Sequence, residues 1–143
     1  MKVQRSALLP YSNAQMFAII RDVPAYPSFL NWCDEASVEY EDEHIQKATL
    51  SVSYGKLKLS FSTENSLVQD ERVGISLLSG PFKALSGAWN IQSLTADACK
   101  VSLEMDFTFD NPITQKLFGK VFQKVVTTQI EAFEKRANEI YSQ

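Results

Sequence analysis

Glu104 and Asp106 stand two residues apart, His44 follows Glu43, and Cys33 and Cys99 are the two thiols of this 143-residue chain. A carboxylate pair on one strand face could divide general-acid and general-base work between its members, and a histidine beside a carboxylate could move a proton near neutral pH. The spacing argues against both. From Cys99 through Val101, Leu103, Met105, Phe107 and Phe109 every second residue is apolar, and Glu104 and Asp106 belong to the opposite set with Lys100, Ser102, Thr108 and Asp110, the face expected to meet solvent. His44 is the only histidine and falls in a polar turn. The cysteines lie far apart without a CxxC or Cys/His grouping, so neither a zinc site nor a Cys-His nucleophile pair is supported. GxSxG, GxxxxGK[ST], GxGxxG and HExxH are absent from the sequence. No catalytic residue, metal ligand or required cofactor is assigned, and the reading is of a protein that binds without being an enzyme.

Composition narrows the partners. With 45% hydrophobic and 22% charged residues the chain reads as an ordinary soluble globular protein, and 143 residues suit a single domain spanning 1–143 with a sizeable core. A net charge of −3 argues against DNA or broad nucleic-acid binding, which needs a basic face to displace phosphate counterions. Met1 to Ser6 lack the apolar run of a signal peptide, which leads to the expectation of a cytoplasmic protein, peripheral at most at the inner face of the membrane.

The elements that position these residues follow from periodicity. Residues 2–9 read as a first strand. Ser12 with Gln15 three residues on is a capping-box pattern before Met16, Phe17, Ile19 and Ile20, predicting a short helix to about Asp22. Pro24 and Pro27 then break the chain. Strands are expected over 36–42 and 45–54, then around Leu57 to Phe61 after a turn at Gly55-Lys56, around Val73 to Leu77, around Trp89 and Ile91, and from Cys99. Asn111 and Pro112 open a helix of about thirty residues, with Ile113, Leu117, Val121, Val125, Ile130, Phe133, Ala137 and Ile140 at helical spacing and Phe118, Phe122 and Val126 widening the stripe. Strands grouped apart from helices imply an α+β fold whose antiparallel sheet is covered by the last helix. That helix either seals a solid core or roofs a cavity.

Two segments hold large apolar side chains where turns are expected. One is Tyr26-Pro27-Ser28-Phe29-Leu30-Asn31-Trp32-Cys33; the other runs Gly80-Pro81-Phe82-Lys83-Ala84-Leu85-Ser86-Gly87-Ala88-Trp89. They either plug one end of the sheet-helix sandwich or form the movable mouth of a pocket beneath the helix.

These two segments, with RSALLPYSNAQMF near the start and the long final helix, resemble the coenzyme Q-binding branch of the START-like, polyketide-cyclase superfamily, a branch that includes bacterial ribosome-association toxins of the RatA type. The resemblance spans essentially the whole chain. It implies a helix-grip fold: a curved seven-stranded antiparallel sheet wrapped around the C-terminal helix, two short helices after the first strand, and an apolar tunnel. It implies ubiquinone or a related polyprenyl quinone as ligand, and a role as a quinone carrier or chaperone in respiratory electron transport. Each isoprene unit buries about five carbons, on the order of 3 kcal/mol against water but little against a bilayer, so selectivity would lie with the headgroup. Its oxygens accept hydrogen bonds, which directs attention to donors near the mouth: the Trp32 and Trp89 indoles, the Tyr26 and Tyr54 hydroxyls, and Lys83.

The expected ligand contacts are Phe29, Leu30, Trp32, Phe82, Leu85 and Trp89 at the mouth and Met105, Phe107, Phe118, Phe122 and Val125 along the tunnel. Lys116, Lys120 and Lys124 recur every four residues on the last helix. That row is a solvated flank, an anionic-membrane contact in which each lysine adds roughly 1 kcal/mol, or a contact with the large ribosomal subunit that blocks subunit association. A polyketide cyclase or aromatase would need an acid-base group inside the cavity, which the apolar strand faces do not supply.

Overall fold

The structure, a computed structural model, describes residues 1–141. Seven strands form one antiparallel sheet in the order β1-β7-β6-β5-β4-β3-β2. They are β1 (Lys2–Leu9), β2 (Cys33–Glu41), β3 (Ile45–Tyr54), β4 (Leu57–Val68), β5 (Arg72–Ser79), β6 (Phe82–Thr95) and β7 (Ala98–Phe109). Helix α1 (Asn13–Arg21) and a 3-10 helix (Val23–Ser28) follow β1, and α2 (Pro112–Tyr141) closes the chain.

Local chemistry sets the helix starts. Ser12 Oγ accepts from the Gln15 N–H at 3.2 Å while Gln15 Oε1 accepts from the Ser12 N–H at 2.9 Å, completing the capping box. Ser12→Ala removes one half of that exchange and is expected to lower stability by about 1 kcal/mol in urea titrations; a change below a few tenths would show that the cap is replaced by water. Asn111 Oδ1 accepts from the Thr114 N–H at 2.8 Å, and Pro112 takes the first helical position, where its missing N–H is no loss.

The sheet curls around α2, and ring positions reveal how far. Phe61 on β4 and Phe82 on β6 lie two strands apart yet their centroids are 5.5 Å from one another. A flat sheet would separate them by about 9.6 Å, twice the inter-strand spacing. Phe122 of α2 touches both, and Phe107 and Phe109 of β7 as well. Register shifts between Ser62 and Thr63 on β4, and between Phe82 and Ala84 on β6, supply the local bends. The β5–β6 turn also needs Gly80, whose φ of +142° and position leave a Cβ only 2.6 Å from that of Phe61.

Three expectations are corrected. Phe82 and Leu85 do not lie in a connection; β6 runs fourteen residues from Phe82 to Thr95 and buries both. Gly80-Pro81 confines the turn to two residues, and Gly87 interrupted the alternation that would have marked the strand. Strand β4 continues past Phe61 to Val68, which the alternation hid because its inward positions Thr63 and Asn65 are polar. On α2, Ile113 and Leu117 are 72% and 47% exposed, while Phe118, Phe122 and Val126 face the sheet. The two rows lie about 100° apart on the helix, and the row with the larger rings takes the core.

Candidate functional site

Phe122 and Phe133 of α2 each anchor a cluster of rings. Phe122 meets Phe61, Phe82, Phe107 and Phe109, and Phe133 meets Tyr26, Phe29 and Trp89 at 4.9–5.3 Å. The two anchors are eleven positions apart on the helix, about 16.5 Å. Between them lies a cavity of about 90 Å³, walled on the α2 side by Phe122, Val125, Val126 and Gln129. Trp32, Trp89, Leu103 and Met105 add apolar wall, and Thr63 and Asn65 bring polar groups from β4.

A second space lies outside. A groove of about 780 Å³ runs between α2 and the segment after the 3-10 helix, with Phe29, Leu30, Trp32, Val121 and Val125 on its apolar side and Lys120, Lys124 and Lys135 along its rim. Trp32 and Val125 border both spaces.

The expected site residues divide accordingly. Trp32, Trp89, Met105, Phe122 and Val125 line the cavity, and Phe29, Leu30, Trp32 and Val125 line the groove. Phe82, Leu85, Phe107 and Phe118 are buried but border neither space; they close the Phe122 end, which is filled by rings and is no tunnel. Lys120 and Lys124 stand on the groove rim, and Lys116 lies exposed one turn before them. The polar lining of Thr63, Asn65 and Gln129 was not anticipated. Nothing in the sequence separates these from surface polar residues, although Thr63 and Asn65 share the parity of Leu59, Phe61 and Leu67.

Electrostatics favour binding over proton transfer here. The Tyr26 hydroxyl donates to the Ile20 carbonyl, and burial holds its pKa well above the ordinary tyrosine value. Tyr26 is thus unavailable as the headgroup donor expected from sequence. Burial, with Asp34 nearby, pushes the Cys33 thiol up to about 11, so it stays protonated at neutral pH and is a poor nucleophile. Glu104 and Asp106 project away from the buried row of β7, as the alternation required. Asp42 caps the turn before β3: the Tyr40 hydroxyl and the N–H groups of His44 and Ile45 donate to it and hold its carboxyl near 2, a structural use of the only histidine-bearing loop. Among the described residues no group of three or more His, Cys, Asp or Glu could hold a metal ion.

A curved sheet gripping one long helix over an apolar cavity has close counterparts. Residues 9–134 match the family described as polyketide cyclase / dehydrase and lipid transport. This chain belongs to that family. The Pseudomonas aeruginosa ribosome association toxin RatA is 37% identical over 139 residues, 97% of this chain and 96% of RatA. The coenzyme Q-binding protein COQ10 homolog B of Xenopus laevis is 28% identical, with 95% of this chain matched to 57% of that protein. Among solved structures, the Zhui aromatase/cyclase of Streptomyces sp. R1128 superposes with a TM-score of 0.85 at 14% identity, covering 96% of this chain and 93% of Zhui. That likeness establishes the START-like, helix-grip architecture; the chemistry of this family member has to come from its own side chains. No helix among the described residues is long and apolar enough to cross a membrane.

Proposed function

We propose that this protein is a ribosome-association factor of the RatA kind, an interaction protein and not a catalyst. The end-to-end match to RatA, 37% identity over 97% of the chain, carries this reading. The α2 flank supplies a contact surface: Lys116, Lys120 and Lys124 are exposed beside Ile113 and Leu117, and none of the three forms an ion pair among the described residues. On a chain of net charge −3, such a row is the natural meeting point for ribosomal RNA phosphate. The cavity lining supports a non-catalytic role, because it contains no histidine, carboxylate or lysine and its one tyrosine is held by Ile20.

The test is sedimentation of purified ribosomes with added protein. The wild type is expected to shift the profile from joined ribosomes toward free subunits, and the variant Lys116→Glu/Lys120→Glu/Lys124→Glu to bind at least tenfold more weakly, with an unchanged melting temperature because all three side chains are exposed. An unaltered profile with the wild type refutes the ribosomal role; equal activity of the variant refutes only the contact face.

A second reading, polyprenyl quinone carriage, is favoured by the adjacency of cavity and groove. A 90 Å³ cavity is too small for a prenyl tail, but the 780 Å³ groove is not, and Trp32 and Val125 border both. In this reading the headgroup enters the cavity as Trp32 moves and the tail lies in the groove, in place of the tunnel expected from sequence. The 28% identity to COQ10 homolog B accords with it. Native mass spectrometry of the freshly purified protein should then show a bound isoprenoid, and its absence from every preparation would count against this reading.

A further inference from the structure

The polar end of the cavity has a fixed hydrogen-bond polarity. A backbone carbonyl can only accept, so the Gln46 atom 2.8 Å from the Arg21 carbonyl is its amide nitrogen, which also donates to Glu41 Oε1 at 3.1 Å. Gln46 Oε1 therefore points at β4, where it accepts from Asn65 Nδ2 at 2.9 Å across the directly paired positions of the two strands. Asn65 Oδ1 then faces Thr63 and accepts its hydroxyl hydrogen at 2.9 Å. The single Thr63 proton is thus committed inside the protein, and Thr63 Oγ1 offers the cavity lone pairs only.

Gln129, on α2, lines the same cavity. It is 8% exposed, and its Oε1 is buried without a hydrogen-bond partner. Buried polar atoms are almost always paired, so an orphan in a cavity wall beside a second acceptor points to a missing donor.

We infer that the cavity receives the hydroxyl-bearing head of an amphiphile, of phenol or quinol type, whose O–H donates to Thr63 or Gln129 and whose apolar tail passes Trp32 and Val125 into the groove. This rests on the hydrophobic-ligand reading and adds the chemistry of the head. A hydroxyl can also accept from the second Asn65 amide hydrogen or from an indole N–H, so it suits the whole lining. A quinone or ether oxygen can accept from the Asn65 amide or an indole but has no hydrogen to give Thr63, whose own proton is committed to Asn65; of a quinone and its reduced form, only the reduced one satisfies both sides of the lining. The volume of about 90 Å³ is below the ~150 Å³ of a cavity that takes benzene, so a ring enters only as Trp32 swings toward the groove.

Calorimetric titration with 4-propylphenol and 4-propylanisole, which differ by replacement of O–H with O–CH₃, tests this. The wild type is expected to bind the phenol at least tenfold more tightly, and Thr63→Val/Gln129→Leu to reduce that preference to threefold or less. Should the double variant fail to fold, each single variant is expected to lower the preference at least threefold. Equal binding of the two compounds by the wild type overturns the donor-selective head site but leaves the apolar pocket standing. A preference that persists in the variants, as it would if the ether were merely too large, overturns it in the same way. If neither compound binds, the cavity holds water only, and the hydrophobic-ligand reading falls together with the head site.

Discussion

Phe133→Ala is expected to cost 3–5 kcal/mol, roughly the range for removing a fully buried ring, and to lower the melting temperature by about 10–15 °C at about 3 °C per kcal/mol. Phe133 is 1% exposed, and its ring packs edge-on against Tyr26 and Phe29 and tilted against Trp89. These neighbours come from the 3-10 helix, the segment after it, and β6, so one ring of α2 joins all three. The site cannot collapse easily, since Tyr26 is tethered to the Ile20 carbonyl and Trp89 is fixed in the middle of a strand. Phe29→Ala, at the half-buried edge of the same cluster, should cost about half as much. Urea titration measures both; a Phe133→Ala loss below 1.5 kcal/mol would mean that the cluster repacks and does not hold α2 to the sheet.

The same cluster shows where sequence reasoning succeeds and where it stops. Strand β7 and the start of α2 were legible because each has one period and one dominant contrast: alternation from Cys99 to Phe109, then an Asn-Pro start before a helical repeat. The capping box at Ser12 was legible for a similar reason, since it is a local exchange between two side chains and two backbone groups. The phase of the first turns of α2 was not, although Val125, Ile130, Phe133 and Ala137 of the expected stripe are buried. Ile113-Leu117-Val121 and Phe118-Phe122-Val126 are neighbouring apolar rows, and only the curl of the sheet decides which is covered. Phe82 was placed in a loop because a Gly-Pro pair reads as a longer break than the two-residue turn it makes. Most consequential, the inward polar residues of β3 and β4 have no local signature. Gln46, Thr63 and Asn65 become core only through one another, across strands nineteen or fewer residues apart.

Curvature also explains why the space between the ring clusters is small. Phe61, Phe82, Phe107 and Phe109 fill the Phe122 end, so the helix seals a core there and roofs a cavity only over Val125, Val126 and Gln129. Both alternatives posed by the sequence are therefore realised, at different turns of one helix. The cavity meets the groove and its lysine rim at Trp32 and Val125. The lysine rim thus adjoins the residues that the groove shares with the apolar cavity.

Gln46→Leu should be the second most damaging change, costing about 2–4 kcal/mol although it inserts an apolar residue into the interior. Gln46 is 1% exposed and holds three partners, the Arg21 carbonyl, Glu41 and Asn65. Leucine fills the volume but leaves the Asn65 amide and the Arg21 carbonyl without their shared partner, and each buried orphan costs about 1–3 kcal/mol. Asn65→Leu should be similarly harmful, but the double variant less so than the sum, because the first substitution already breaks the bond the second removes. A coupling energy of about 1 kcal/mol or more is expected from the cycle; additivity within about 0.5 kcal/mol would show that the two residues are not energetically linked. Gln46 borders neither cavity nor groove, yet it fixes which way Asn65 points and so whether Thr63 must donate inward. Removing it frees the Thr63 proton to turn into the cavity, and the preference for phenol over anisole should weaken while overall affinity changes little. A purely structural role for Gln46 would lower stability and leave that preference untouched.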